Sequence, residues 1–172
     1  MKTYPKFAIL MLLSIFICSC SGETKTHTVK TPKLALTASG PLFQGSNTAT
    51  ATWNYDLKEL FPNVKEEVEI KSARVSSIQV MPIKEADYPQ LGKMVVEMKS
   101  PNTKMTRIGL LDADLDVNET NNLSIADVQE DLEETFTDEK IIFVGDIDMK
   151  DEQFYDDLRF DLVVTFDIET NM

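Results

Sequence analysis

The residues of this chain that are best suited to chemistry are three aspartates at every second position, Asp112, Asp114 and Asp116, followed by Asn118. Alternate residues of an extended segment point to the same side, so the carboxylates and the amide would lie together. Ca²⁺ prefers about six to eight oxygen ligands of this kind. The spacing therefore predicts an irregular Ca²⁺ site at these four residues. The alternative is the end of a strand followed by an acidic turn.

This stretch resembles the opening of an EF-hand calcium loop, but two positions depart from that family. Val117 stands where the loop requires glycine, and Leu123 stands where it requires a bidentate glutamate. No pair of flanking helices is predicted. The resemblance therefore does not extend to an EF-hand, and no cofactor other than Ca²⁺ is predicted.

Other reactive side chains are scarce. The chain has one histidine, His27, in a polar segment near the N-terminus, and two cysteines, Cys18 and Cys20. This argues against histidine-based zinc sites and against Ser-His-Asp or Cys-His catalysis. No phosphate-binding loop or GxGxxG motif is present. A carboxylate pair of the glycosidase kind stays open because acids are abundant, so a divergent carboxylate-dependent hydrolase is retained as a third hypothesis.

The chain begins with a short head that contains two lysines, followed by an apolar run over residues 7–17. Cys18, Ser19 and Cys20 come directly after this run. A charged head, an apolar stretch of about ten residues and a small residue before the cut are typical of an export signal. A membrane-spanning helix would need about 20 apolar residues. Residues 1–19 are therefore predicted to be a signal peptide.

The four residues that end at Cys20 resemble the lipobox of bacterial lipoproteins, and the layout of the chain is similar to that of the envelope lipoproteins of Bacteroidota. The resemblance implies that Cys20 is diacylated, becomes the new N-terminus and anchors the protein on a membrane of the cell envelope. The outer membrane is expected, on its periplasmic or its surface face. An ordinary cleaved signal peptide is the alternative.

Residues 20–31 are polar and lack apolar periodicity, which predicts a flexible tether between the lipid and one domain over residues 32–172. The formal net charge of the chain is −12, and the last 62 residues hold 20 of the 29 acidic residues but three of the 17 basic ones. So acidic a surface disfavours nucleic acid and anionic lipid as partners.

Apolar and polar residues alternate with a period of two through most of the domain, which predicts half-buried antiparallel strands. The pattern is clearest over residues 141–149 and over residues 158–168, where Val163 alone puts an apolar side chain on the polar face. A short polar connection joins these two strands, and they are predicted to pair as a hairpin. A change of parity predicts a β-bulge near Gly109.

Two short helices are predicted. Asp56 can cap a helix over residues 57–61, and Ser124 with Asp127 resembles a capping box that opens a second helix reaching Leu132. Many strands with so few helices favour an all-β fold, an antiparallel two-sheet sandwich of the immunoglobulin-like kind. A barrel is the competing architecture.

Trp53, Tyr55, Phe61 and Tyr88 either form an aromatic contact patch or, as the inward parity of Trp53 indicates, belong to the core. The leading functional hypothesis is a membrane-anchored, non-catalytic interaction or structural module with an envelope protein as its partner. The alternatives are a lipoprotein that binds Ca²⁺ or a glycan through loops of the sandwich, and the hydrolase. The oligomeric state is left open.

Overall fold

The computed structural model describes residues 24–64, 67–83, 88–127, 129 and 132–171. The described part of the protein is mostly β, with 62% of its residues in strands and two short helices. In chain order the elements are β1 (Thr24–Lys30), β2 (Leu34–Ala38), β3 (Leu42–Asn54), α1 (Leu57–Leu60), β4 (Ile70–Pro82), β5 (Leu91–Lys99), β6 (Thr106–Leu111), β7 (Asn121–Asn122), β8 (Ser124–Ile125), α2 (Glu133–Thr137), β9 (Lys140–Phe154) and β10 (Leu158–Asn171).

The C-terminal strand β10 lies at the centre of this arrangement. One of its edges pairs with β4 over almost its whole length, and the other pairs first with β2 and then with β1. Its alternation is as the sequence predicts, because every second side chain is fully buried. These side chains are Leu158, Phe160, Leu162, Val164, Phe166 and Ile168.

A bulge separates β1 from β2 along the edge of β10. Residues 31–33 face only two residues of β10, and Thr31 keeps the ladder intact across the gap. Its N–H donates to the carbonyl oxygen of Val164 at 2.9 Å, and its Oγ1 accepts the N–H of Val164 at 3.0 Å. A hydroxyl thus replaces the backbone carbonyl, so Pro32 fits at this edge without leaving β10 unpaired.

The sheet nearly closes on itself. Its strand order is β7-β4-β10-β2-β3-β9-β5-β6-β8, and all neighbouring strands are antiparallel. Leu123 alone separates β7 from β8. Residues 121–125 therefore join the two ends of this order, because β7 pairs with β4 and β8 pairs with β6. Leu123 N–H donates to Ile78 of β4 at 3.0 Å, and Ala126 N–H donates to Ile108 of β6 at 3.0 Å. We call residues 121–125 the closing segment.

The predicted hairpin of β9 with β10 is wrong. The two strands are joined by residues 155–157, but β2 and β3 lie between them in the sheet. Strand β9 pairs instead with β3 and β5. The predicted bulge near Gly109 is confirmed, because Ile108 is the extra residue opposite Val96 and Glu97 of β5. Ile108 and Gly109 are consecutive and both buried, which explains the change of parity.

Of three further predicted segments, two differ in the structure and one is confirmed. Residues Thr24–Lys30, predicted to be tether, form β1, because hydrogen bonding to β10 stabilises even a polar edge strand. The helix capped by Asp56 is confirmed, with the Asp56 carboxylate accepting the Lys58 N–H at 2.7 Å. The second helix is misplaced: Ser124 belongs to β8, and α2 begins at Glu133, because closure of the sheet overrides the local capping signal.

Most of the aromatic residues considered for a contact patch are core instead. Trp53 is 5% exposed and stacks parallel to Phe166, with ring centroids 6.3 Å apart. Phe136 of α2 meets Phe166 edge to face at 5.0 Å. The half-buried Tyr55 donates its hydroxyl to the Phe136 carbonyl at 3.0 Å, and burial raises its pKa. This cluster packs α2 against the sheet interior.

Replacing Thr31 by valine keeps the side-chain shape but removes the acceptor of the Val164 N–H. Because Thr31 is 4% exposed, water cannot take its place. We expect the free energy of unfolding, measured by urea denaturation, to fall by about 1–3 kcal/mol. Thr28→Val is the control. It removes an exposed hydrogen bond to Asp167, which lies on β10 like Val164, and should cost less than about 1 kcal/mol. Equal losses would contradict the role given to Thr31.

Candidate functional site

The acidic stretch over residues 112–120 leads into the closing segment and is organised by Asn121. Asn121 Oδ1 accepts the N–H of Asp116 at 2.9 Å, and its Nδ2 donates to the carbonyl oxygens of Asp116 at 2.8 Å and of Glu119 at 3.1 Å. The Asp116 carboxylate accepts the N–H of Asn118 at 2.8 Å. Asn121 is 9% exposed. A shielded amide side chain therefore holds this turn, and two of its carbonyl oxygens are already hydrogen-bonded.

The carboxylates of this stretch have separate partners. Asp112 accepts a hydrogen bond from Lys93, which raises the pKa of that lysine, and Asp114 pairs with Lys150 at 2.5 Å. Within the described ranges, no group of three or more His, Cys, Asp or Glu side chains is arranged to hold a metal ion. The Ca²⁺ site at Asp112, Asp114, Asp116 and Asn118 stays a prediction, and a cation there would compete with two lysines.

His27 is part of the sheet rather than of a tether. Its Nε2 lies 3.1 Å from Thr170 Oγ1, and its ring meets Phe61 edge to face at 5.0 Å. Burial and, to a lesser degree, the charge of Lys25 lower its pKa. No described carboxylate hydrogen-bonds to the ring. The contacts of His27 therefore join β1 to β10 and α1, and they do not form a Ser-His-Asp arrangement.

A groove crosses the outer face of the sheet where β1 and β2 are interrupted. Its volume is about 220 Å³, below the roughly 300–1,000 Å³ typical of small-molecule pockets. Cross-strand pairing puts Gln79 of β4 opposite Val163 of β10, and Met81 opposite Asp161. We call it the β10 groove, and the residues that define it are Lys30, Lys33, Gln79, Met81, Asp161 and Val163.

The β10 groove combines apolar side chains with basic groups at one side. Met81 is 42% exposed and Val163 is half-buried. Lys33 forms an ion pair with Asp161 at 2.8 Å, while Lys30 has no carboxylate partner among the described residues. No aromatic ring lines the groove, and its one carboxylate is already paired. This chemistry suits an apolar side chain with a nearby acidic group better than a cation or a stacked sugar ring.

Sequence reasoning found one residue of this groove and missed the rest. Val163 stands out as the apolar interruption of the polar face of β10, a feature that by itself is ordinary on a protein surface. The lysines come from residues 30–33 and Met81 from β4, so only strand pairing brings them to β10. No local sequence pattern reports such a meeting.

Cys20 and the predicted signal peptide over residues 1–19 lie outside the described residues, so both the signal peptide and lipidation of Cys20 stay predictions. Among the helices of the described part of the chain, none has the length and apolar character needed to cross a bilayer.

No protein-family model matches the chain, and no curated protein matches it. Two solved structures have a similar shape. A chain of the infectious bursal disease virus Gx strain structure has 9% identity and a TM-score of 0.44, covering 87% of this chain and 32% of that one. A mud crab tombus-like virus chain has 8% identity and a TM-score of 0.39, covering 96% and 97%. This chain spans about a third of the first neighbour's length. Neither similarity defines its function.

Titration with Ca²⁺ tests the acidic stretch. Asp112 and Asp114 are each paired with a lysine, and Asn121 holds the turn. We therefore expect no rise in melting temperature at millimolar Ca²⁺. A rise that Ca²⁺ produces, that the control cation Mg²⁺ does not produce and that Asp114→Asn abolishes would instead establish the Ca²⁺ site. Differential scanning fluorimetry of the purified domain gives the measurement.

Proposed function

We propose that this chain is a membrane-anchored envelope lipoprotein whose β domain is a non-catalytic interaction module. Its binding surface is the β10 groove, and its ligand is an extended segment of a protein partner. The observation that carries the proposal is that Val163 and Met81, apolar side chains on the outward face of the sheet, lie together in one groove beside Lys30. The nearly closed sheet, barrel or immunoglobulin-like sandwich, gives that groove a rigid base.

The placement of polar groups supports a module over a hydrolase. Among the described residues, the buried polar side chains are those of Thr31, Ser100, Asn121, Thr135 and Thr170, with no carboxylate. A carboxylate-dependent hydrolase needs a general acid whose pKa is raised, usually by burial. Asp138 shows the opposite case, because hydrogen bonds from Ser100 and Asn102 lower its pKa.

The chemistry of the groove also supports a protein ligand. An extended peptide offers apolar side chains at alternate positions, which can fill a shallow groove, and acidic side chains that can pair with a lysine. Lys30 is the available basic group, since Lys33 is already paired with Asp161. A net basic groove on a chain of net charge −12 gives an acidic segment a defined place to bind.

The proposed anchor sets the position of this module. Three residues separate Cys20 from Thr24, the first residue of β1, and the four residue steps between them span at most about 14 Å. A lipid on Cys20 would therefore hold the domain close to the bilayer. The groove, which begins at Lys30 near the far end of β1, would stay accessible from the side.

A photo-crosslinking residue introduced at Val163 tests the groove in cells. We expect it to trap a discrete partner, and the same residue at Thr52, an outward position of β3, to trap none. Lys30→Glu should lower the yield at Val163 about tenfold, because it reverses the charge beside the groove. Equal adducts from Val163 and Thr52, or none from Val163, would contradict the proposal.

Lipidation is tested separately by Cys20→Ser. We expect this variant to lose labelling by a fatty-acid analogue and to leave the membrane fraction, because each acyl CH₂ group adds roughly 0.8 kcal/mol of membrane binding. Cys18→Ser is the matched control and should remain labelled and membrane-bound. A Cys20→Ser protein that still carries label would refute the anchor while leaving the groove untouched.

A further inference from the structure

Two large aromatic side chains lie in solvent at one end of the sheet. Phe43, near the start of β3, is 55% exposed, and Tyr155, directly after β9, is 74% exposed. Both belong to the part of the β3–β9 ribbon where residues 150–153 are also exposed. Exposed aromatic side chains that occur together often mark a binding surface.

Both aromatic residues neighbour Gln153. Phe43 pairs directly with Gln153 across the ribbon, so both side chains stand on the same face. The hydroxyl of Tyr155 donates to Gln153 Oε1 at 2.9 Å. Gln153 Nε2 has no partner among the described residues and remains available as a donor. We call Phe43, Gln153 and Tyr155 the ribbon platform.

Backbone contacts fix the main chain at both aromatic residues. Asn47 Oδ1 accepts the N–H of Phe43 at 3.3 Å, and its Nδ2 donates to the Phe43 carbonyl at 2.8 Å. Gly40 packs closely against residues 155–157, which connect β9 to β10. A Cβ added to Gly40 would lie 2.4 Å from the carbonyl oxygen of Tyr155. Gly40 N–H also donates to the Asp157 carboxylate at 3.1 Å. The main chain that carries the ribbon platform is therefore held in place before a ligand binds.

The surroundings of the ribbon platform select against anionic ligands. Residues 148–157 contain five acidic residues and one lysine. Glu152 and Asp156, the chain neighbours of Gln153 and Tyr155, are exposed, and their carboxylates make no hydrogen bond or ion pair with a described residue. Nucleic acid, anionic lipid and acidic sugars would be repelled. An uncharged ligand carries no such electrostatic penalty.

We propose that the ribbon platform is a binding site for a neutral oligosaccharide. The C–H faces of sugar rings pack on Phe43 and Tyr155, and the Gln153 amide donates to a ring or hydroxyl oxygen. A protein interface is the less suitable occupant, because it requires a contiguous apolar centre, whereas these rings stand among Gln44, Gln153 and charged residues. The site is independent of the β10 groove and of the lipid anchor.

Isothermal titration of the soluble domain with cellohexaose, laminarihexaose, chitohexaose and mannohexaose tests the site, with hexagalacturonate as the anionic comparison. We expect millimolar or tighter binding of at least one neutral hexasaccharide, and at least about tenfold weaker binding of hexagalacturonate. Phe43→Ala and Tyr155→Ala should each weaken binding about tenfold or more. Met105→Ala is the control, since Met105 is 43% exposed but lies on the β5–β6 connection.

Because both aromatic residues are exposed, the variants should keep the wild-type melting temperature, and a variant that does not is replaced by Phe43→Ser or Tyr155→Ser. Failure of all four neutral hexasaccharides to bind at millimolar concentration overturns the proposal. So does binding that Phe43→Ala and Tyr155→Ala leave unchanged. Ring-proton shifts of Phe43 and Tyr155 on titration, absent for Tyr88, would support it.

Discussion

Strand β10 is the constraint on which the rest of the structure depends. Its inward side chains are completely buried and its two edges are paired with β4 on one side and with β2 and β1 on the other. The period of two fixes the register of β10, since a slip of one residue would expose its whole apolar row. Phe166 extends the constraint into the core, where it contacts both Trp53 and Phe136.

Closure of the sheet depends on a much smaller element. The closing segment is only five residues long, and it contacts β4 through Asn121 and Asn122 and β6 through Ser124 and Ile125. Two-residue strands have little stability of their own. Asn121 supplies what they lack, because its buried amide fixes the acidic turn that precedes them. The aspartates of that turn are thereby directed outward, where lysines and solvent meet their charge.

The same architecture creates the two surfaces that we propose as binding sites. The bulge at residues 31–33 interrupts the row beside β10 and brings Lys30 and Lys33 next to Val163. The ribbon of β3 and β9 continues past β2 and carries Phe43 and Tyr155 into solvent. Both surfaces arise where the regular pairing of the sheet stops. Neither contains a buried carboxylate among the described residues.

Local periodicity in the sequence was enough to predict the all-β class, the inward faces of β9 and β10 and the bulge at Ile108. Capping chemistry at Asp56 was enough to predict the first helix. The sequence by itself did not determine strand partners: the β9–β10 hairpin failed because β2 and β3 lie between those strands, and the polar β1 was invisible as a strand because its stabilisation comes from β10. The groove and the ribbon platform likewise were decided only by the tertiary structure. Their residues are far apart along the chain, and hydrogen bonding between strands, which no local pattern encodes, brings them together.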